Sequence, residues 1–129
     1  MTLYDQQSAE TLYARLGGYD AICAVANDLL PRLMGDEQLG RFWRHRGADG
    51  LRREKQLLID FLASSAGGPV YYTGRYMLTT HRGMGITAND WSRFLDHLNQ
   101  TLDRFEVGPR ERDDVLTFID SMRSEIIDA

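Results

Sequence analysis

The sequence has one cysteine, Cys23, among 129 residues, three prolines, three histidines and no apolar run of membrane-spanning length. A lone cysteine excludes an internal disulfide and so the stapled scaffolds of small secreted domains. Cys23 reads as a small apolar packing group, and a reducing cytoplasm is the expected compartment. A spanning helix needs about 20 consecutive apolar residues, so no membrane partner is expected. The start, Met1-Thr2-Leu3-Tyr4-Asp5-Gln6-Gln7, lacks the basic-then-apolar order of a secretory signal, which predicts a soluble, unprocessed chain. Positive charge is not in excess either. Fifteen Lys and Arg face 19 Asp and Glu, a net charge of -4. That balance disfavours nucleic acid, whose binding rests on cations displacing counterions from phosphate. Metal-site motifs are missing as well. Without a cysteine cluster, HExxH or ExxH there is no protein-only zinc site, and without GxGxxG no dinucleotide site of that kind.

What is present is helical spacing. No repeat or low-complexity tract divides the chain. Residues 1–10 read as an N-terminal extension, expected to be flexible, and 11–129 as one domain, a length that buries about two thirds of the unfolded surface. Ile22, Val25, Ala26, Leu29, Leu30, Leu33 and Met34 share one face of a helix that Gly17-Gly18 precede and Gly35 stops. Pro31 cannot donate to the carbonyl of Asn27, which predicts a bend. Asp36 is placed to cap a helical turn through Phe42, and Arg44 to Gly50 reads as a loop. The next helix is expected from Leu51 to Ala66, with Leu51, Leu58, Phe61 and Leu62 inward, until Gly67-Gly68-Pro69 ends it. Val70 to Gly74 has no partner run of period two and reads as a loop. Thr87-Ala88-Asn89-Asp90 has capping-box spacing, and Trp91, Phe94, Leu95, Leu98, Leu102 and Phe105 mark the buried side of the helix behind it. Gly108-Pro109 opens a last helix in which Val115, Phe118, Ile119, Met122 and Ile126 recur every three or four residues. The fold class is all-α.

Charge and chemistry concentrate in two places. Arg41, Arg44, Arg46, Arg52, Arg53 and Lys55 outnumber Asp49 and Glu54 within one stretch. A solvated loop and helix start account for this, and attraction of a small anionic group is the functional alternative. The second place is His81, in Tyr72-Thr73-Gly74-Arg75-Tyr76-Met77-Leu78-Thr79-Thr80-His81-Arg82-Gly83-Met84-Gly85-Ile86. On a short helical segment the carbonyl of Met77, four residues back, can hold its Nδ1–H while Nε2 faces inward. Such an imidazole suits a transition metal. Haem iron needs only one axial ligand from the protein, because the porphyrin supplies four nitrogens. Phe42, Trp43, Phe61, Phe94 and Phe118 are each ordinary core residues, but their distribution around a single histidine invites a cofactor.

In this order and spacing the chain resembles the truncated haemoglobins, the small two-over-two helical globins, and is most similar to their group I. The resemblance runs from about Leu12 to Met122. It is carried by Gly17-Gly18, Gly67-Gly68-Pro69, Tyr72-Thr73-Gly74 with Met77, His81 followed by Gly85-Ile86-Thr87, and His97-Leu98. It implies a two-over-two sandwich around haem b, with His81 as the proximal iron ligand. Phe42, Trp43, Leu58, Phe61, Leu62, Tyr72, Met77, Thr80, Ile86, Phe94, Leu98 and Ile119 are then the cofactor's contacts. Tyr72 and nearby basic groups approach the propionates, with Arg75 or an arginine of the basic stretch as the charge-assisted donor.

The departures bear on activity. Leu30 aligns where group I members usually carry a tyrosine that donates to bound dioxygen. Glu54 and Leu58 stand at two ligand-facing positions where glutamine is common. Trp43 aligns with the usual phenylalanine, Phe42 lies beside it, and a lengthened loop lets the two exchange roles. The ligand side is therefore expected from Leu30, Trp43, Glu54 and Leu58. A missing donor is worth roughly 1 to 3 kcal/mol, about one to two powers of ten in affinity, so oxygen should leave faster. Glu54 is expected to lean to solvent beside Arg52, Arg53 or Lys55, with an inward orientation as the alternative, where an ionised carboxylate would repel bound oxygen and a protonated one would donate to it. His45 reads as an exposed histidine, with sixth iron ligand as its alternative, and His97 as packed or hydrogen-bonded. The expected function is reversible binding of dioxygen, carbon monoxide and nitric oxide, for oxygen binding, transport or sensing. The alternative is a nitric oxide dioxygenase or peroxidase-like enzyme served by an external reductase. A haem-free helical module is the remaining reading.

Overall fold

Glycine turns and side-chain caps set the limits of the helices. The computed structural model describes residues 11–69, 72, 74 and 77–127. The expected extension over residues 1–10, most of the loop around Tyr72, and Arg75 as a propionate partner lie outside the described residues. Thr11 accepts from the amide of Ala14 at 3.1 Å and opens α1 (Leu12–Leu16). Gly17 closes it at a φ of 112°, where a Cβ would also meet that of Ala21 at 3.1 Å. Only glycine takes this backbone without strain, so the α1 to α2 corner needs it. α2 (Tyr19–Met34) continues through Pro31 to Gly35, whose amide bonds back to the Pro31 carbonyl at 2.9 Å.

A 3₁₀ helix (Leu39–Trp43) follows, then α3 (Ala48–Ser65), α4 (Met77–His81), α5 (Ala88–Arg104), α6 (Pro109–Ser121) and α7 (Arg123–Ile126). Among the described residues there is no strand, and no helix is long and apolar enough to cross a membrane. The expected capping box is present: Thr87 accepts from the Asp90 amide at 3.1 Å and Asp90 from the Thr87 amide at 2.9 Å. α3 begins at Ala48, inside the expected loop, with extended Gly47 before it and Asp49 in the favourable first turn. The last apolar stripe is carried across a break at Met122 rather than by one helix.

Two clusters form the core. Ile22, Ala26, Ile59 and Ala63 join α2 to α3, and the two alanines are fully buried, so the backbones there approach closely. Sequence spacing had pointed α3 inward at Leu58, Phe61 and Leu62, which are only partly buried; Ile59 and Ala63 carry the α2 contact instead. The larger cluster gathers Leu29, Leu30, Leu33, Leu39, Trp91, Leu98, Leu102, Ile119 and Met122. Each fully buried leucine adds about 1.5 to 3 kcal/mol. Met34 and Phe105, expected inward, are exposed. Both stand where their helices end, and the Phe105 ring lies 5.7 Å from the Arg104 guanidinium instead of in the core.

Carboxylates tie the layers together. Asp28 on α2 accepts from Thr101 at 2.8 Å and from Arg104 at 2.9 Å, both on α5, and from Arg32 at 2.8 Å. Burial alone would raise its pKa, but these bonds outweigh that and hold it below the ordinary carboxylate value. Arg15 joins α1 to α6 through Glu111 and Asp114 at 2.8 and 2.7 Å. At the other end α4 packs against α7, which brings His81 under the C-terminal segment.

Candidate functional site

Packing of these helices leaves a cavity of about 760 Å³, within the roughly 300 to 1,000 Å³ of small-molecule and cofactor pockets. Every residue singled out from the sequence as a cofactor or ligand contact lines it. Leu30 comes from α2, Phe42 and Trp43 from the 3₁₀ helix, and Glu54, Leu58, Phe61 and Leu62 from α3. Tyr72, then Met77, Thr80 and His81 of α4, Ile86, Phe94 and Leu98 of α5, and Ile119 of α6 complete the set. Sequence reading missed Leu57, Trp91, Leu102, Val115, Met122 and Ile126 as lining residues, while Arg46 and Arg53 are the members of the basic stretch that reach the wall. Most of the missed apolar residues were legible as core stripes, but nothing in a stripe tells core from cavity wall.

His81 ends α4, and its Nδ1 lies 2.8 Å from the carbonyl oxygen of Met77. A carbonyl can only accept, so Nδ1 carries the proton and Nε2 keeps its lone pair. No hydrogen bond among the described residues occupies Nε2, and the ring is half-buried on the cavity wall. This is the tautomer and restraint that a metal-ligating imidazole requires.

A second polar set is built from three segments. Trp43 donates its indole N–H to Glu54 Oε1 at 3.1 Å, and Arg46 Nη1 stands 3.2 Å from Glu54 Oε2. The guanidinium is angled so that the second contact pairs charge without a hydrogen bond, and Oε2 is shut off from solvent with no donor. Glu54 thus turns to the cavity wall rather than toward Arg52, Arg53 or Lys55. Arg52 pairs with Asp49 instead, and the fold of the loop brings Arg46 back over the start of α3. Trp43 and Phe42 meet edge to face at 6.3 Å, and both face the cavity.

The basic stretch is divided by its partners. Arg41 donates to Asp90 at 2.7 and 3.1 Å, and Arg46 and Arg52 are paired as above, whereas Arg44, Arg53 and Lys55 make no ion pair among the described residues. His45 is exposed and is not part of the cavity wall. His97 donates from Nε2 to Asp36 at 2.8 Å, as a hydrogen-bonded histidine away from the cavity.

Two acidic anchors hold the 3₁₀ helix against α5. Asp36 accepts from the amides of Gln38 and Leu39 at 2.8 and 3.0 Å, from Arg93 at 3.0 Å and from His97. Asp90, 1% exposed, takes Arg41, Gln38 and the Thr87 amide. For Asp36 burial pushes the pKa up, but the bonds from His97, Leu39, Arg93 and Gln38 bring it far below the usual carboxylate range. For Asp90 the Arg41 bond is the largest influence and, with Gln38 and Thr87, overrides burial in the same direction.

A model of the bacterial-like globins matches residues 11–128. The group 1 truncated hemoglobin GlbN of Mycolicibacterium paratuberculosis is 31% identical over 116 residues, which span 90% of this chain and 83% of that protein. The group 1 truncated hemoglobin of Tetrahymena pyriformis is 25% identical over 118 residues, 92% of this chain and 95% of that one. The crystal structure of the Tetrahymena protein in its Fe(III) form superposes with a TM-score of 0.82 at 24% identity, covering 92% of this chain and 98% of its own. The 2/2 hemoglobin of Synechococcus sp. PCC 7002, in the cyanomet state with covalently attached heme, gives 0.83 at 24% identity, covering 92% and 99%. At those identities the superpositions speak for the fold, which is that of the two-over-two haem globins. The chain belongs to the bacterial-like globin family and is a truncated haemoglobin.

Proposed function

We propose that the cavity holds haem b with His81 as the proximal iron ligand, and that the chain reversibly binds dioxygen, carbon monoxide and nitric oxide. The observation that carries this reading is the 2.8 Å contact between His81 Nδ1 and the Met77 carbonyl, which commits Nε2 to the cavity. The residues present fit the group: the wall is largely leucine, isoleucine and aromatic, and its few charged groups include Arg46 and Arg53. When bound, haem supplies an iron whose remaining coordination position takes a diatomic ligand.

The chain's own residues define how that ligand is treated. Phe42, Phe61, Phe94, Leu98 and Ile119 would keep water from the bound group, and Arg53 or Arg46, with Tyr72, would meet its propionate charge. Leu30, 8% exposed, offers no hydroxyl where a donor would strengthen a partly negative ligand. Trp43 spends its N–H on Glu54. Oxygen release is therefore expected to be fast, by about one to two powers of ten relative to a site with one such donor. A cytoplasmic location is part of this reading and suits an unpaired Cys23.

The test is titration of the purified chain with haem, followed by reduction and exposure to oxygen and to carbon monoxide. A stoichiometric Soret band and a reversible ferrous oxygen spectrum are expected; a chain that takes up no haem overturns the proposal. The second reading, nitric oxide dioxygenase or peroxidase-like turnover with an external reductase, draws support from Arg44, Arg53 and Lys55. These cations carry no ion pair among the described residues and suit an acidic docking face. Sustained nitrate formation from nitric oxide with a reductase present would favour it.

A further inference from the structure

Both tryptophans of the chain line the cavity, and their indole N–H groups are placed differently. Trp91 is 5% exposed within the larger core cluster, and its Nε1 is shut off from water with no acceptor among the described residues. Trp43 has one. Its N–H donates to Glu54 Oε1 at 3.1 Å, a charge-assisted bond to a group that can take a proton. A neutral indole N–H is too weak an acid to give its proton to a carboxylate. An indole that has lost one electron is a cation of about carboxylic-acid strength, and it can. At Trp91 such a loss would strand a positive charge among apolar side chains. At Trp43 the proton moves to Glu54, and the charge is left on Arg46, which stands 3.2 Å from Oε2 with half of its side chain open to water. Trp43 is half-buried at the end of the 3₁₀ helix, and the exposed Arg44, His45 and Arg46 follow it, so the ring stands between cavity and surface.

We infer that Trp43 is a redox-active side chain: it gives one electron to an oxidised haem in the cavity while its indole proton passes to Glu54, and a one-electron reductant at the surface refills it. This rests on the peroxidase-like reading above and names the residue through which its electrons enter. In the step the Trp43 N–H bond breaks, an O–H bond forms on Glu54 Oε1 and one electron leaves the indole, so that a neutral radical remains beside a neutral carboxyl. On refilling, the proton returns from Glu54 to the indole nitrogen. Over two rounds hydrogen peroxide takes two electrons and two protons and leaves as two waters, and two molecules of a phenol-class reductant lose one electron and one proton each. Phe42, edge to face with Trp43 at 6.3 Å, has no acidic proton to release and cannot replace it. Tyr72, also on the wall, is the competing oxidisable ring.

The experiment mixes the haem-loaded full chain with hydrogen peroxide, freezes it rapidly and records electron paramagnetic resonance spectra in H₂O and D₂O. An indole radical without an exchangeable N–H coupling is expected, and it should be missing from Trp43→Phe. In Glu54→Gln the amide cannot take the proton, so the radical should keep an N–H coupling that D₂O removes. Its rate of formation should also fall by about 10²-fold, the low end for a positioned base, and Glu54→Asp should recover part of it. Peptide mass spectrometry of the unmutated protein, which needs no variant to fold, should find the oxygenated tryptophan product at Trp43 and not at Trp91. A tyrosyl radical in its place, an indole signal that survives Trp43→Phe, a product at Trp91 alone, or the same rate and radical in Glu54→Gln each overturns the inference. A preparation with no Soret band overturns the haem reading before peroxide is added, and this inference with it; a Soret band with no Trp43 radical overturns this inference alone.

Discussion

His81 and Glu54 share one cavity but are held in opposite ways. The histidine is fixed by its own helix, through one bond to a carbonyl four residues back. The glutamate is fixed by chain from elsewhere, Trp43 eleven residues upstream and Arg46 from the intervening loop. Around it the 3₁₀ helix is itself held by Asp36 and Asp90, whose partners lie up to 61 residues away in sequence. A cavity-wall group set by local geometry survives changes elsewhere in the fold. One set by distant partners is tunable, and is lost when any of them moves.

Four changes break or sharpen that contrast. The largest effect is expected from His81→Gly, which should abolish the histidine-ligated haem spectrum while leaving the helical content intact, and added imidazole should restore the spectrum. A chain that keeps its native spectrum without this ring would sink the proximal assignment. Next comes Arg41→Met, which leaves the Asp90 carboxylate, 1% exposed, without its charge partner. Urea unfolding should show a loss of about 3 kcal/mol, and the Trp43 emission should change with it because the 3₁₀ helix is released.

Acid should act on the same wall. The pKa values of Asp36 and Asp90 are depressed in the folded state, so their contribution is present above the unfolded value near 4 and is lost as pH falls below it. Each can remove about 1 kcal/mol per pH unit in that window. Unfolding at pH 3 and pH 6 should therefore differ clearly, and Asp36→Asn should flatten the difference; equal slopes would deny Asp36 this role. The smallest change is Thr87→Ala, which removes one capping bond of α5 and should cost about 1 kcal/mol in urea without altering any haem spectrum.

The legibility of the molecule follows the same division. The α5 capping box, the α1 to α2 glycine corner, the proline start of α6 and the His81 to Met77 bond were all readable from spacing, since each joins residues no more than four apart. The stripe on α3 was harder. Leu58 and Leu62 serve both the core and the cavity wall, and Ile59 and Ala63 on the neighbouring turn take the helix contact. Glu54 was read as a pocket residue and lines the cavity, but its charge partner was not legible: Arg52, Arg53 and Lys55 lie next to it in sequence, whereas the residue that pairs with it, Arg46, sits on a loop whose path is set by the packing of the 3₁₀ helix.

The order of residues alone thus determined an all-helical chain, most of its helix ends and one histidine committed through its own backbone. Repeating φ and ψ values place residues three or four apart in known relation whatever the rest of the chain does. Only the tertiary structure decided which charges meet, Glu54 with Arg46, Asp90 with Arg41 and Asp36 with His97. Those pairs depend on how one helix is rotated and slid against another, and a shift of a single turn exchanges every partner.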